Sequence, residues 1–152
     1  LTPIQLQRNL TKGINQVNRL VKESLEKDDL AELNRQNLLL GKDGKGAEMP
    51  LYSETWKNGE YGFMKYRMNP NNRGRWDLKL SGKLHAGITV SVTSNSVRFF
   101  QRSKANSVML ITPRLELLNI QPLGLPQKQI EQIQLENIPE LRQKLLNIIL
   151  NV

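Results

Sequence analysis

Leu6, Leu10, Ile14, Val17, Leu20 and Val21 recur every three or four residues, with Arg8, Lys12, Asn15, Arg19 and Lys22 between them. That period puts the aliphatics on one side of an α-helix and the polar residues on the other. Thr2-Pro3 marks the start, because a threonine side chain caps a free backbone N–H and a proline costs nothing at the first helical position. Leu30, Leu33, Leu38 and Leu39 continue the stripe and Gly41 ends it; Asp28-Asp29 either caps a second helix or lies on the outer face of one long helix, with residues 24–29 as the place for a break. The other end of the chain repeats the theme. Pro126 opens a helix through Ile130, Ile133 and Leu135, and Pro139 restarts or kinks it. Leu141, Leu145, Leu146, Ile148, Ile149 and Leu150 then make an end too apolar for one face of a surface helix. This end is expected either to be buried against a sheet and the first helix or to dock into another chain.

Between the helices the pattern changes. Residues 41–76 are rich in Gly, Asn and Pro and read as an extended loop, but Tyr52, Trp56, Tyr61, Phe63, Tyr66 and Trp76 give it more aromatic character than unfolded segments have. The loop is expected to order against something, a neighbouring subunit among the candidates. Ser81-Gly82 permits a change of direction. Ile88, Val90 and Val92 alternate with Thr89, Ser91 and Thr93 as a half-buried strand, and Ser94-Asn95-Ser96 turns the chain back. Val97 and Phe99 continue the buried face, while Arg98, Phe100 and Arg102 share the other. Ser107 to Ile111 reads as a third strand. The expected architecture is a single α+β domain over residues 1–152: a long N-terminal helical segment (1–40), an extended loop (41–76), a small antiparallel β-sheet (77–112), then a connector and C-terminal helix packed on the sheet (113–152). A chain of this length buries roughly two thirds of its unfolded surface, enough for a core without staples.

Charge divides along the same lines. The net charge of +8 comes almost wholly from the centre, where eleven Lys and Arg between Lys57 and Arg114 face only Glu60 and Asp77. No acid lies between Asp77 and Glu116. Such a field attracts phosphates or an acidic protein surface. The chain has no cysteine, which excludes disulfides and Cys-ligated zinc. No apolar run approaches the roughly 20 residues of a membrane-spanning helix, and no basic-then-apolar leader opens the sequence, so a soluble protein away from membranes is expected.

Catalytic patterns are scarce. His85 is the single histidine, and it reads as a packing or hydrogen-bonding residue beside a turn. No serine sits in a Gly-x-Ser-x-Gly elbow. "GKDGKG" at 41–46 lacks the Gly-Lys-Ser/Thr ending of a phosphate-binding loop and reads as a turn. Asp28-Asp29 and Glu131/Glu136 read as solvated helix charge. The expectation is a non-enzymatic chain with no metal and no cofactor.

Taken in order, the segments "DGKGAEMPLYSETWKNGEYGFMKYRM" and "DLKLSGKLHAGITVSVTSNSVRFF" resemble the core pattern of tailed-phage tail-completion, or virion morphogenesis, proteins. In that family a long N-terminal helix precedes a Gly, a Pro-Leu-Ser stretch, a Thr and a Lys. A Leu-x-x-Thr/Ser-Gly-x-Leu turn, a Ser/Gly-Ile strand and a hairpin follow. Here those places are held by Gly46, by Pro50-Leu51-Tyr52-Ser53, Thr55 and Lys57, by Leu78 to Leu84 with Ser81-Gly82, and by Gly87-Ile88. The likeness covers roughly residues 28–112. Where the family continues with Tyr-Ala and His-x-x-Gly, this chain has "SKANSVMLI", and its long loop and proline-broken last helix resemble variants from phages of Bacteroidetes hosts, the crAss-like group among them.

The resemblance implies a virion subunit of the neck or tail, such as a head-tail connector or tail terminator. It would be built in the host cytoplasm as a homo-oligomeric ring and meet portal, neck or tail proteins, with DNA passing through it. The expected intersubunit surface comprises Trp56, Tyr61, Arg73, Arg75, Trp76, Arg98, Phe100 and Arg102, with Ser81 and Gly82 as the structural turn. A basic nucleic-acid-binding protein is the competing class, since aromatics interleaved with cations supply both phosphate contacts and stacking.

Overall fold

A computed structural model describes residues 1–52, 60–72, 74–79, 82–93 and 96–151, with the side chains of all of these but 27, 60–62 and 72. Helix α1 runs Pro3–Lys27 and starts as its sequence requires. Thr2 Oγ1 accepts the Gln5 N–H at 3.2 Å and Gln5 Oε1 accepts the Thr2 N–H at 2.8 Å, a reciprocal capping box. The break falls at Asp28, whose backbone is extended, and α2 follows over Leu30–Leu39.

The expected extended loop contains more structure than its composition suggests. Helix α3 spans Glu60–Met68 and a single 3-10 turn spans Pro70–Asn72. No apolar stripe announces α3. It is held instead by polar side chains four residues apart, Lys65 and Asn69, that both reach Asp77.

Gly82, with φ 70°, turns the chain into a short helix α4 over Lys83–Gly87, so the turn leads first into a helix and only then into the sheet. Strands β1 (Ile88–Val92) and β2 (Val97–Gln101) form a two-stranded antiparallel hairpin. Arg102 N–H to Gly87 O at 2.8 Å and Thr93 N–H to Ser96 O at 2.8 Å fix its register at both ends. Thr89 therefore faces Phe100 and Ser91 faces Arg98 on one side, while Val90 faces Phe99 and Val92 faces Val97 on the other. The faces alternate as the sequence predicts, but β2 has no buried face: Val97 is exposed, and Phe99 and Phe100 are both half-buried, because only the β1 end at Ile88 reaches the apolar cluster.

The third strand does not form. Residues 107–111 lie in helix α5, Asn106–Leu117. The reason is spacing: Val108, Ile111 and Leu115 follow helical steps, which sets Val108 and Leu115 in the core, and a strand would have split them between two faces. Helix α6, Gln127–Leu150, completes the chain and carries Pro139 in its interior.

The chain divides into two compact units. One holds α1, the hairpin tip Ser91–Val97 and residues 128–152. In it, Asn9 Nδ2 donates to Ile149 O at 2.9 Å, Gly13 lies against Ile149 and Leu145, and Asn137 Nδ2 donates to the Asp28 carboxylate at 2.8 Å. The start of α1 thus lies beside the end of α6, and α6 packs on the sheet at the hairpin tip. The other unit, residues 30–90 and 98–127, contains the main apolar cluster of Leu38, Met49, Leu78, Leu84, Ile88, Val108 and Leu115. Trp76, Ile111 and Leu123 pack around it. Each buried aliphatic in that cluster contributes roughly 1.5–3 kcal/mol. Gly41–Gly46 is a turn, as expected: Asp43 Oδ1 accepts the N–H groups of Lys45 (2.9 Å) and Ala47 (2.8 Å).

Candidate functional site

The base of the hairpin is fixed by a buried polar frame centred on Asp77. Its side chain is 1% exposed and that of Lys65 is 2% exposed, and Lys65 Nζ meets Asp77 Oδ1 at 2.5 Å. The same carboxylate oxygen accepts the Lys79 N–H at 3.0 Å and the Tyr52 hydroxyl at 3.3 Å, and Asn69 Nδ2 reaches Oδ2 at 3.4 Å. Lys65 also donates to Lys79 O at 3.1 Å, and Asn69 to Leu39 O at 2.6 Å. Burial pushes the Asp77 carboxyl up, but the Lys65 ammonium, the Lys79 N–H and the Asn69 amide together outweigh it and hold the group below its ordinary 3.8.

The Asp77-to-Lys79 bond closes a tight turn around Leu78. This places Leu78 at φ 53°, an uncommon conformation for a branched residue, and drives its side chain into the core.

His85 joins the frame through its ring. Nε2 donates to the backbone carbonyl of Asp77 at 2.7 Å, so the single histidine is a buried hydrogen-bonding residue, as its sequence context suggests. Burial pulls the imidazole below its ordinary 6.5, opposed by that hydrogen bond and by the Asp77 charge. From α2, Arg35 donates to His85 O (2.9 Å) and to Ile88 O (3.1 Å) while pairing with Glu32. Gln101 Nε2 donates to Leu84 O at 2.6 Å, and its Oε1 accepts the Ser103 N–H at 2.8 Å. A Cβ on Gly87 would collide with Gln101, so glycine is needed there for the close approach of that side chain.

The frame's groups are spent on one another and on backbone. It positions the hairpin, with Asp77, Lys65 and His85 all buried. Among the described residues no group of three or more His, Cys, Asp or Glu is placed to hold a metal, and no helix is long and apolar enough to cross a membrane.

Of the expected contact residues, Arg75, Trp76, Arg98, Phe100 and Arg102 are described with their side chains. Trp56, Arg73 and Ser81 lie outside the described residues, and Tyr61 is described only as backbone within α3. Arg75 pairs with Glu48 and donates to Met49 O at 2.9 Å, and Trp76 packs against the apolar cluster, so both work inside the chain. Arg98 and Phe100 share the outward face of β2, and Arg102, just past the strand end, continues it in register with Gly87. Both arginines are exposed, and the Arg102 guanidinium lies 5.3 Å from the Phe100 ring centroid.

Sequence reasoning missed Asp77, Lys65, Asn69 and Arg35. The available signal was Asp77 itself, a lone acid in a long basic run, which is a natural partner for one of the cations.

A second exposed surface is apolar. Leu6, Leu10, Ile14 and Val17, the stripe that defines α1, remain exposed, with Ile14 at 71%, whereas Leu20 farther along is buried. On α6 no residue is fully buried, and Leu135 is 66% exposed. Comparison of the chain with protein-family models, curated proteins and solved structures finds no match in any of the three.

Proposed function

We propose that this protein is a non-enzymatic structural subunit of a tailed-phage virion that assembles into a ring in the neck or tail. The observation that carries the assembly is the α1 stripe: four aliphatics at helical spacing that face water in a single chain. Exposed aliphatics aligned along one helix mark a protein contact, and covering them stabilises association by the same burial that builds a core. A repeated head-to-tail contact between identical chains closes into a ring when its rotation allows. The placement in a virion rests on the ordered motifs of residues 28–112 and their likeness to tail-completion proteins. The polar frame around Asp77 fits this role, because it holds the hairpin rigidly without exposing reactive groups.

The test is the solution mass by light scattering, at low and high salt and with and without DNA. A discrete oligomer that forms without DNA is expected. Leu10→Glu with Ile14→Glu should reduce it to monomer with unchanged far-UV circular dichroism, since both side chains already face solvent. A wild-type monomer at every concentration, or an unchanged oligomer in the double variant, would overturn the reading.

A further inference from the structure

Some cations of the folded chain are paired with carboxylates of the same chain and others are not. Arg19, Lys22, Arg35, Lys65, Arg75 and Lys144 are each paired with a carboxylate of the same chain. None of the cations from Lys79 to Arg114 takes part in an ion pair among the described residues, and no acid lies in that stretch to supply one. Two of them, Arg98 on β2 and Arg102 just past its end, where it still pairs with Gly87, lie on one side of the chain with Phe100 between them. They sit roughly 13 Å apart along the strand. Lys83 and Lys104, both exposed, flank the hairpin base, where Gly87 pairs with Arg102.

We propose that this face of β2 binds the phosphate backbone of nucleic acid, independently of base sequence. The argument is charge complementarity. Six of the fourteen acids, Glu23, Glu26, Glu32, Glu48, Asp77 and Glu140, are each paired with a cation that lies outside residues 79–114. A contact between proteins mixes charge signs along its rim, whereas a strand face whose cations come from a stretch of chain without a single acid matches a polyanion. The spacing of the two arginines corresponds to about four phosphates of one duplex strand along the helix axis. The stacking of Arg102 on Phe100 holds that guanidinium in place, so less freedom is lost on binding. This inference does not depend on ring formation.

The experiment is fluorescence anisotropy with a labelled duplex DNA of arbitrary sequence, titrated across a salt series. The proteins are the wild type, Arg98→Gln with Arg102→Gln, and a control, Lys22→Gln with Lys144→Gln, that removes two cations already paired. The solution mass of each is measured by light scattering. The wild type should bind with an affinity that falls steeply with salt. The arginine variant should flatten the log–log salt slope by about two, one counterion-releasing contact per arginine, and the control should leave the slope unchanged. Both variants should keep the wild-type mass. No binding at low salt, or an unchanged slope in the arginine variant, would overturn the proposal. Loss of the oligomer in that variant would overturn it too, because the face would then belong to a contact between proteins.

Discussion

Replacing Lys65 by methionine removes the positive half of the buried pair and keeps the volume of the side chain. Asp77 would then be left 1% exposed and charged, with the Lys79 N–H, the Tyr52 hydroxyl and the Asn69 amide as its remaining donors. Breaking a buried pair from one side typically costs about 3–5 kcal/mol. The three surviving donors put this case at the low end, about 3 kcal/mol. For a chain of this length that is a fall in Tm of roughly 6–12 °C. Asp77→Leu should be worse, about 4–5 kcal/mol, because it strands the ammonium with only Lys79 O and the Tyr52 ring, and it also removes an acceptor from three donors. The double variant Lys65→Met with Asp77→Asn keeps an acceptor for the Lys79 N–H and leaves no buried charge. It should be less destabilised than the sum of its single changes. Urea denaturation followed by circular dichroism measures all of these. A Lys65→Met protein within about 1 kcal/mol of wild type would refute the claim that the pair holds α3 to the hairpin base.

Three further outcomes follow from the same geometry. Gly82→Ala should cost about 1 kcal/mol, from the left-handed backbone alone, since a Cβ there meets nothing within 4 Å; Gly82→Asn should recover part of it, and chemical denaturation compares the two. Gly87→Ala should displace Gln101, freeing Leu84 O and the Ser103 N–H, at a cost of about 1–3 kcal/mol; faster amide exchange at Ser103 would show it. Stability should fall as pH is lowered. His85 has a folded-state pKa below its unfolded 6.5, so its contribution is complete above 6.5 and is lost as pH falls towards the folded value. Asp77, depressed below 3.8, adds a second loss below that pH. His85→Gln should flatten the Tm profile just below pH 6.5 and leave the acid limb in place.

The elements that were legible in advance are those written in local chemistry. Thr2 and Pro3 start α1, Gly41 ends the helical segment, and the alternation from Ile88 to Arg102 sets which face each hairpin residue takes. Each of these depends on neighbours within a few residues, so the residue types alone decide it. Helix α3 and the helical state of residues 107–111 were not legible. Both are decided by partners distant in sequence: Asp77 collects Lys65 and Asn69, and the apolar cluster takes Val108 and Leu115 together. The same is true of function. The sequence determines that the centre of the chain is basic, because charge is a sum over residues. Only the tertiary structure decides which cations are spent inside, as Lys65 and Arg75 are, and which stay exposed, as Arg98 and Arg102 do, because pairing depends on what the fold brings within about 4 Å.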